Sequence, residues 1–235
     1  MFAKINLASA SAILAFCSLA TAAPQKRDTP AADEASLTTK LRLANSAIER
    51  YALLPEDKDW VFDFKTSPAP LANRETFPAL VGSGGGLAYA TFPGCSMAFV
   101  HLHPRSSELF IVTEGSLMTS MVTEAGVVDP ATGAPRVIQT ELSAGQMTHF
   151  PQGAFHTQVN PTCNNVTAVA AFTGDEDFGA TAIAEQFFAY GDDILAASLG
   201  GQTTIGGKDF DAIRAVIPKG VMIRLEECVK KCGPQ

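Results

Sequence analysis

The spacing of the histidines constrains this chain more than any other feature. All four fall between Gly94 and Asn160, and three of them stand out in two short patterns separated by a variable stretch. The first runs Gly94…His101-Leu102-His103-Pro104-Arg105-Ser106-Ser107-Glu108…Gly115, and the second Gly145…Pro151-Gln152-Gly153-Ala154-Phe155-His156…Asn160. Alternate side chains of a β-strand share a face. A regular strand from Met97 to His103 therefore puts Met97, Phe99, His101 and His103 on one wall. Pro104 to Ser107 reads as a tight turn. It returns the chain so that Glu108, which shares a face with Phe110 and Val112, comes back beside the histidine pair. Behind the Pro151–Gly153 turn, His156 shares a face with Gln158 and Asn160.

A His-x-His pair alone is commonly a surface or packing feature. Adding Glu108 at hairpin distance and His156 from a remote turn makes a metal site the expectation. Three imidazoles and a carboxylate suit manganese or ferrous iron at six coordination, with two positions left open. Zinc would find a closed four-ligand site. Copper and nickel also match the ligand types. The fourth histidine, His149, precedes the Pro151 turn and reads as a hydrogen-bonded rim residue, or as a base behind the ligands or a spare ligand. Arg105 reads as a brace between loops.

The surrounding chain alternates like a β protein. Leu87–Phe92, Met97–His103, Glu108–Thr113, Leu117–Thr123, Arg136–Leu142, Met147–Phe150, Phe155–Asn160 and Val166–Phe172 are strand candidates, with Trp60–Phe64 before them. The Asp129–Ala134 stretch marks a hairpin. Many short strands at even spacing predict an antiparallel sandwich or barrel. Ser36 can cap a helix through Tyr51, because Leu37, Leu41, Ala44, Ile48 and Tyr51 recur at helical spacing. Residues 180–189, 191–199, 209–216 and 222–231 also read as helical. Gly82–Gly86 is a glycine-rich turn with no following helix that could cradle a phosphate.

The two histidine patterns resemble the two motifs of the cupin superfamily, gap for gap around the ligands. His-Leu-His-Pro-Arg-Ser-Ser-Glu is similar to the germin-like version, and the whole layout resembles secreted spherulin-like members. The resemblance implies a mainly β, single-domain cupin, an antiparallel β-barrel or jelly roll, with an N-terminal helix and C-terminal helices. The expected division is a signal peptide over 1–22, a leader and helix over 23–58, the barrel over 59–178 and a helical segment over 179–235. It also implies that His101, His103, Glu108 and His156 bind one metal, manganese first, with iron or another divalent transition metal as the alternative. The resemblance further implies a homo-oligomer, trimer or hexamer, built through the C-terminal helices.

Two functions follow from that resemblance. One is a manganese-dependent oxidoreductase acting on a small molecule, by oxalate oxidation or superoxide dismutation. The other is a non-catalytic, metal-stabilised wall, matrix or stress protein of the spherulin type. Germin oxalate oxidases carry asparagines that hold oxalate at the positions aligned here with Ala98 and Ala88, so oxalate itself is in doubt. The proposed cavity walls, Met97, Phe99, Phe110, Val112, Ala168 and Ala170, are mostly apolar.

Targeting and charge complete the reading. Lys4 precedes an apolar run from Ile5 to Leu19 that ends in Ala20-Thr21-Ala22-Ala23, the pattern of a cleaved secretory signal. Lys26-Arg27 offers a second, dibasic processing site. No other stretch is long and apolar enough for a membrane span. The formal charge of -7 gives no reason to expect nucleic acid. The expected location is extracellular, with cell-wall association in view. Cys17 leaves with the signal, so Cys95, Cys163, Cys228 and Cys232 remain in an oxidising compartment. Three pairings are open. Adjacency at the barrel rim, and the arrangement of spherulin-like relatives, favour Cys95 with Cys163, which leaves Cys228 with Cys232. Asn165-Val166-Thr167 is an N-glycosylation sequon.

Overall fold

Two antiparallel sheets share one buried cluster. The computed structural model describes residues 35–176, 178–218 and 221–233, and residues 36–235 form one unit. The expected signal peptide and dibasic site lie outside the described residues.

The strands are β1 (Leu71–Ala72), β2 (Gly86–Phe92), β3 (Ser96–Ala98), β4 (His101–Leu102), β5 (Glu108–Glu114), β6 (Ser116–Val122) and β7 (Val137–Ser143). They continue as β8 (Met147–Phe150), β9 (Phe155–Asn160), β10 (Val166–Phe172), β11 (Thr181–Ala182), β12 (Thr204–Ile205), β13 (Lys208–Asp209) and β14 (Met222–Arg224). One sheet runs β1-β2-β10-β5-β8. The other runs β11-β4-β9-β3-β14, with β6 joining β9 and β7 joining β6. Alternation decides which side chains point inward. Along β10, Val166, Ala168, Ala170 and Phe172 are buried, and along β5, Glu108, Phe110 and Val112. The apolar ones among these meet Ala98, Leu117, Met121 and Leu142 from the second sheet in one cluster. Phe110 and Phe150 are each 1% exposed, and burying such a ring contributes roughly 2–3 kcal/mol. Gly115 closes the β5–β6 hairpin at φ 82°, where a Cβ would also meet Val166 Cγ2 at 3.0 Å. The Asp129–Ala134 turn forms as the sequence predicts, with the Asp129 carboxylate accepting from the amides of Ala131 and Thr132.

The expected strand from Met97 to His103 is broken. Met97 pairs with Val159 and His101 pairs with His156, so four residue steps on one strand oppose three on the other. The extra residue is a bulge at Phe99–Val100, and a bulge reverses the facing of everything beyond it. Ser96 and Ala98 therefore share the interior with His101 and His103. Met97 leaves the expected wall, Ala98 replaces it in the core cluster, and Phe99 is only half-buried.

Three other expectations are corrected. The helix from Ser36 to Tyr51 is two helices, α1 (Leu37–Leu43) and α2 (Ala47–Ala52). Ser36 caps the first as expected. Ser46 caps the second by accepting from Glu49 N, and Glu49 accepts in return from Asn45 N. A cap of this kind is worth about 1 kcal/mol, and the chain kinks to make it. Of the helical stripe only Leu41 is buried. Trp60 to Phe64 is not a strand: Asp57–Trp60 forms a 3-10 turn closed by Glu56 and Asp59. In the C-terminal part, α3 (Ile183–Phe187), α4 (Asp192–Ser198), α5 (Phe210–Arg214) and α6 (Glu226–Cys232) are shorter than expected. The residues before α3 pair with β4 as β11, and those before α6 pair with β3 as β14. Both segments satisfy sheet-edge groups that a helix would have left open.

Candidate metal centre

The four residues that the sequence singles out come together. His101 on β4, His103 just after it, Glu108 at the head of β5 and His156 on β9 each offer one ligand atom, and these atoms lie within 4.8 Å of one another. All four side chains are buried. Direct pairing of His101 with His156 across β4 and β9 sets two rings 4.3 Å apart. Glu108 reaches the same point from the other sheet. Its Oε2 lies 3.0 Å from His103 Nε2 and 3.1 Å from His156 Nε2.

Hydrogen bonding fixes each ring. His101 Nδ1 faces the carbonyl of Phe99, His156 Nδ1 that of Ala154, and His103 Nδ1 that of Gly179. A carbonyl oxygen can only accept, so every Nδ1 carries the hydrogen. In the neutral imidazole the Nε2 is then a bare lone pair, and two of these lone pairs face a carboxylate oxygen. Acceptors held against one another in a buried site need a positive charge between them, either protons or a cation. The donor set fits a divalent transition metal: three Nε2 atoms and one carboxylate oxygen, with each ring oriented by a backbone carbonyl behind it.

Electrostatics keeps the set ready for a cation. Burial, reinforced by the neighbouring His156, pushes the His101 pKa down to about 4 and keeps the ring neutral near pH 7. Burial of Glu108 opposes its ionisation. Without a cation, protons on His103 Nε2 and His156 Nε2 supply the positive charge and the hydrogen bonds that outweigh that burial and hold the carboxyl at about 2. Gln158, two residues beyond His156, points inward as expected and donates Nε2 to Glu108 Oε1 at 3.4 Å.

Aromatic rings wall the centre. Phe150 stacks on His156 with centroids 4.2 Å apart, and Phe172 and Phe178 meet His103 edge-on. The Phe178–Gly179 segment lies outside both histidine patterns, and nothing in its sequence marks it. The alternation through Phe150 and Phe172 could have placed those two rings. His149 is exposed on the outer face of β8, opposite Leu109, and takes no part in the site. Arg105 braces loops, with its Nε 3.7 Å from Glu176.

A family model described as Cupin matches residues 56–204. The chain belongs to the cupin family. Among curated cupin relatives, Spherulin-1B of Physarum polycephalum is 29% identical over 240 residues, covering 97% of this chain and 91% of that protein. Putative germin-like protein 9-2 of Oryza sativa subsp. japonica is 33% identical over 145 residues, 57% of this chain and 63% of that one. The fold is similar to a solved recombinant oxalate oxidase in complex with glycolate, with TM-score 0.52 and 15% identity over 75% of this chain and 82% of that chain. The topology is thus that of a mainly β cupin with flanking helices.

The cysteine pairing expected from the sequence is overturned. Cys95 bonds Cys228 and Cys163 bonds Cys232, with Cα separations of 5.3 and 5.5 Å. The cause is β14. It pairs with β3 and carries α6 onto the rim, where Cys228 and Cys232 lie between the two upstream cysteines. Asn165 is exposed. Among the described residues, no helix is long and apolar enough to cross a membrane.

Proposed function

We propose that this chain is a secreted germin-like cupin that holds one divalent transition metal between His101, His103, Glu108 and His156 and acts as an oxidoreductase on a small molecule. Manganese is the first candidate and ferrous iron the second. The observation that carries the reading is the convergence of three Nε2 lone pairs, each fixed by a carbonyl behind its ring, on one buried carboxylate. An ion bound there would supply Lewis acidity and electron exchange. The chain's own residues hold the ligands in place and exclude water through Phe150, Phe172 and Phe178. Gln158 steadies the carboxylate.

Oxalate is not favoured as the substrate. Ala98 is 4% exposed and faces the interior three residues before His101, where its methyl group offers no hydrogen bond to a dianion. The same observation, with the length of the spherulin match, supports a second reading, a metal-stabilised wall, matrix or stress protein without turnover. The two disulfides support an extracellular location, and the exposed Asn165 supports glycosylation there. Closure of the two sheets into a barrel and assembly into a homo-oligomer belong to the same proposal. So does the division at residues 22, 58 and 178.

The test is elemental analysis and electron paramagnetic resonance of the secreted protein and of His101→Ala, followed by oxygen uptake, peroxide release and superoxide decay. One ion per chain, lost in the variant, with turnover of any of these substrates supports the enzyme. Full occupancy without turnover moves the protein to the second reading. No bound ion in the wild type removes both.

A further inference from the structure

The four cysteines among the described residues form one sulfur cluster, separate from the histidine and glutamate group. Cys228 and Cys232 stand four apart on α6 and face the same way. Cys95 sits just before β3 at φ 56°, the single non-glycine residue in the left-handed region among the described residues. Its amide donates to Thr162 O, and its carbonyl accepts from Leu225 N. The residue is thereby clamped between the loop that holds Cys163 and the start of α6. As a result the two bridges are in contact: Cys95 Sγ lies 3.4 Å from Cys232 Sγ, to which it is not bonded. Cys228 Sγ lies 4.0 Å from Cys232 Sγ.

Exposure grades across the cluster. Cys163 is exposed, Cys228 and Cys232 are half-buried, and Cys95 is 1% exposed. An external thiol therefore reaches Cys163 first, and accessible bridges are the ones that exchange.

We propose that this cluster is a thiol-exchange relay, with Cys163 the site of S-thiolation by a low-molecular-weight thiol. The thiolate attacks Cys163 Sγ and a mixed disulfide forms there. The Cys163–Cys232 bond breaks, and its electron pair leaves on Cys232 Sγ. The Cys232 thiolate then attacks Cys95 Sγ. A Cys95–Cys232 bond forms, the Cys95–Cys228 bond breaks, and Cys228 leaves as a thiolate that takes a proton from water. Two disulfides exist before and two after, so the only co-reactant is the thiol. The second step starts from a separation of 3.4 Å, and the freed Cys232 side chain has only to rotate into line with the Cys95–Cys228 bond, to which its sulfur now stands at about a right angle. The C-terminal segment stays tethered throughout, and a thiol appears at Cys228.

The experiment treats the native full-length protein with reduced glutathione, quenches with acid and alkylates free thiols. Trypsin then leaves each of the four cysteines on a separate peptide for mass spectrometry. The expected product has glutathione on Cys163, the alkyl group on Cys228 and a Cys95–Cys232 crosslink. Glutathione on Cys163 with the alkyl group on Cys232 and the Cys95–Cys228 bridge intact overturns the relay, as does no adduct on Cys163. Cys163→Ser gives an independent reading, because Cys232 then starts free. Alkylation on both Cys228 and Cys232 is expected, and alkylation on Cys232 alone is the contrary result. Should that variant not fold, the native-protein experiment decides.

Discussion

Phe150 lies flat on His156, with centroids 4.2 Å apart and ring planes 13° apart. The ring that packs the core also fixes the plane of a proposed metal ligand. Core and centre are therefore coupled at this contact. Phe150→Ala is expected to cost about 3–5 kcal/mol of stability and to weaken metal binding. Phe150→Leu keeps most of the volume but loses the stack, so its affinity should fall while most of the stability remains. Urea titration and metal competition on both variants test this. Unchanged metal affinity in both would show that the stack does not orient the ligand.

Glu108→Gln separates charge from shape. The amide keeps the size of the side chain but loses the negative charge that faces His103 Nε2 and His156 Nε2. Metal occupancy should drop by at least about 10–100-fold in affinity, the scale on which even supporting groups matter. Metal competition on the wild type and the variant checks this, and equal affinity in the two would show that the carboxylate is not a ligand.

Gly179 combines φ 63° with a close approach to Arg105, where a Cβ would lie 2.7 Å from Nη2. Gly179→Ala must move both, at a cost on the order of 1 kcal/mol or more, and it shifts the carbonyl that orients His103. The expected result is weaker metal binding with only a small loss of stability. Equal metal affinity in wild type and variant would mean that His103 keeps its orientation by other contacts.

Stability of the metal-stripped protein should fall with acid. His101 is lowered from 6.5 to about 4, so between those pH values the unfolded chain binds the proton more readily than the folded one. This contribution is fully present above pH 6.5 and is lost as the pH falls to 4. Glu108, lowered from 4.5 to about 2, adds a second loss in the same direction over its own window. Denaturation midpoints from pH 7 to 4 check the first window, and a flat profile there would exclude a buried neutral His101. The metal-loaded protein should resist over the upper part of this range.

Much of the centre was legible beforehand because its information is local. A two-residue period puts Glu108, Phe110 and Val112 on one face and His156, Gln158 and Asn160 on another, and the chain obeys both. The period failed where one residue was inserted. The bulge at Phe99–Val100 exchanged Met97 for Ala98 in the interior, and no sequence count reveals a bulge that only the register against β9 creates. The helix from Ser36 to Tyr51 failed for the opposite reason. A local signal, Ser46 with Glu49, lies inside the apolar spacing and caps a second helix there.

The sequence alone determined the ligand types, their order and the alternation that turns them inward, because these depend on side-chain chemistry and on strand geometry within a few residues. Tertiary structure decided the rest. The carbonyl of Gly179 selects the tautomer of His103 from 76 residues away, and β14 carries Cys228 and Cys232 between Cys95 and Cys163. Such contacts join segments whose separation along the chain says nothing of their separation in space, and only the packing of one sheet edge against another brings them together.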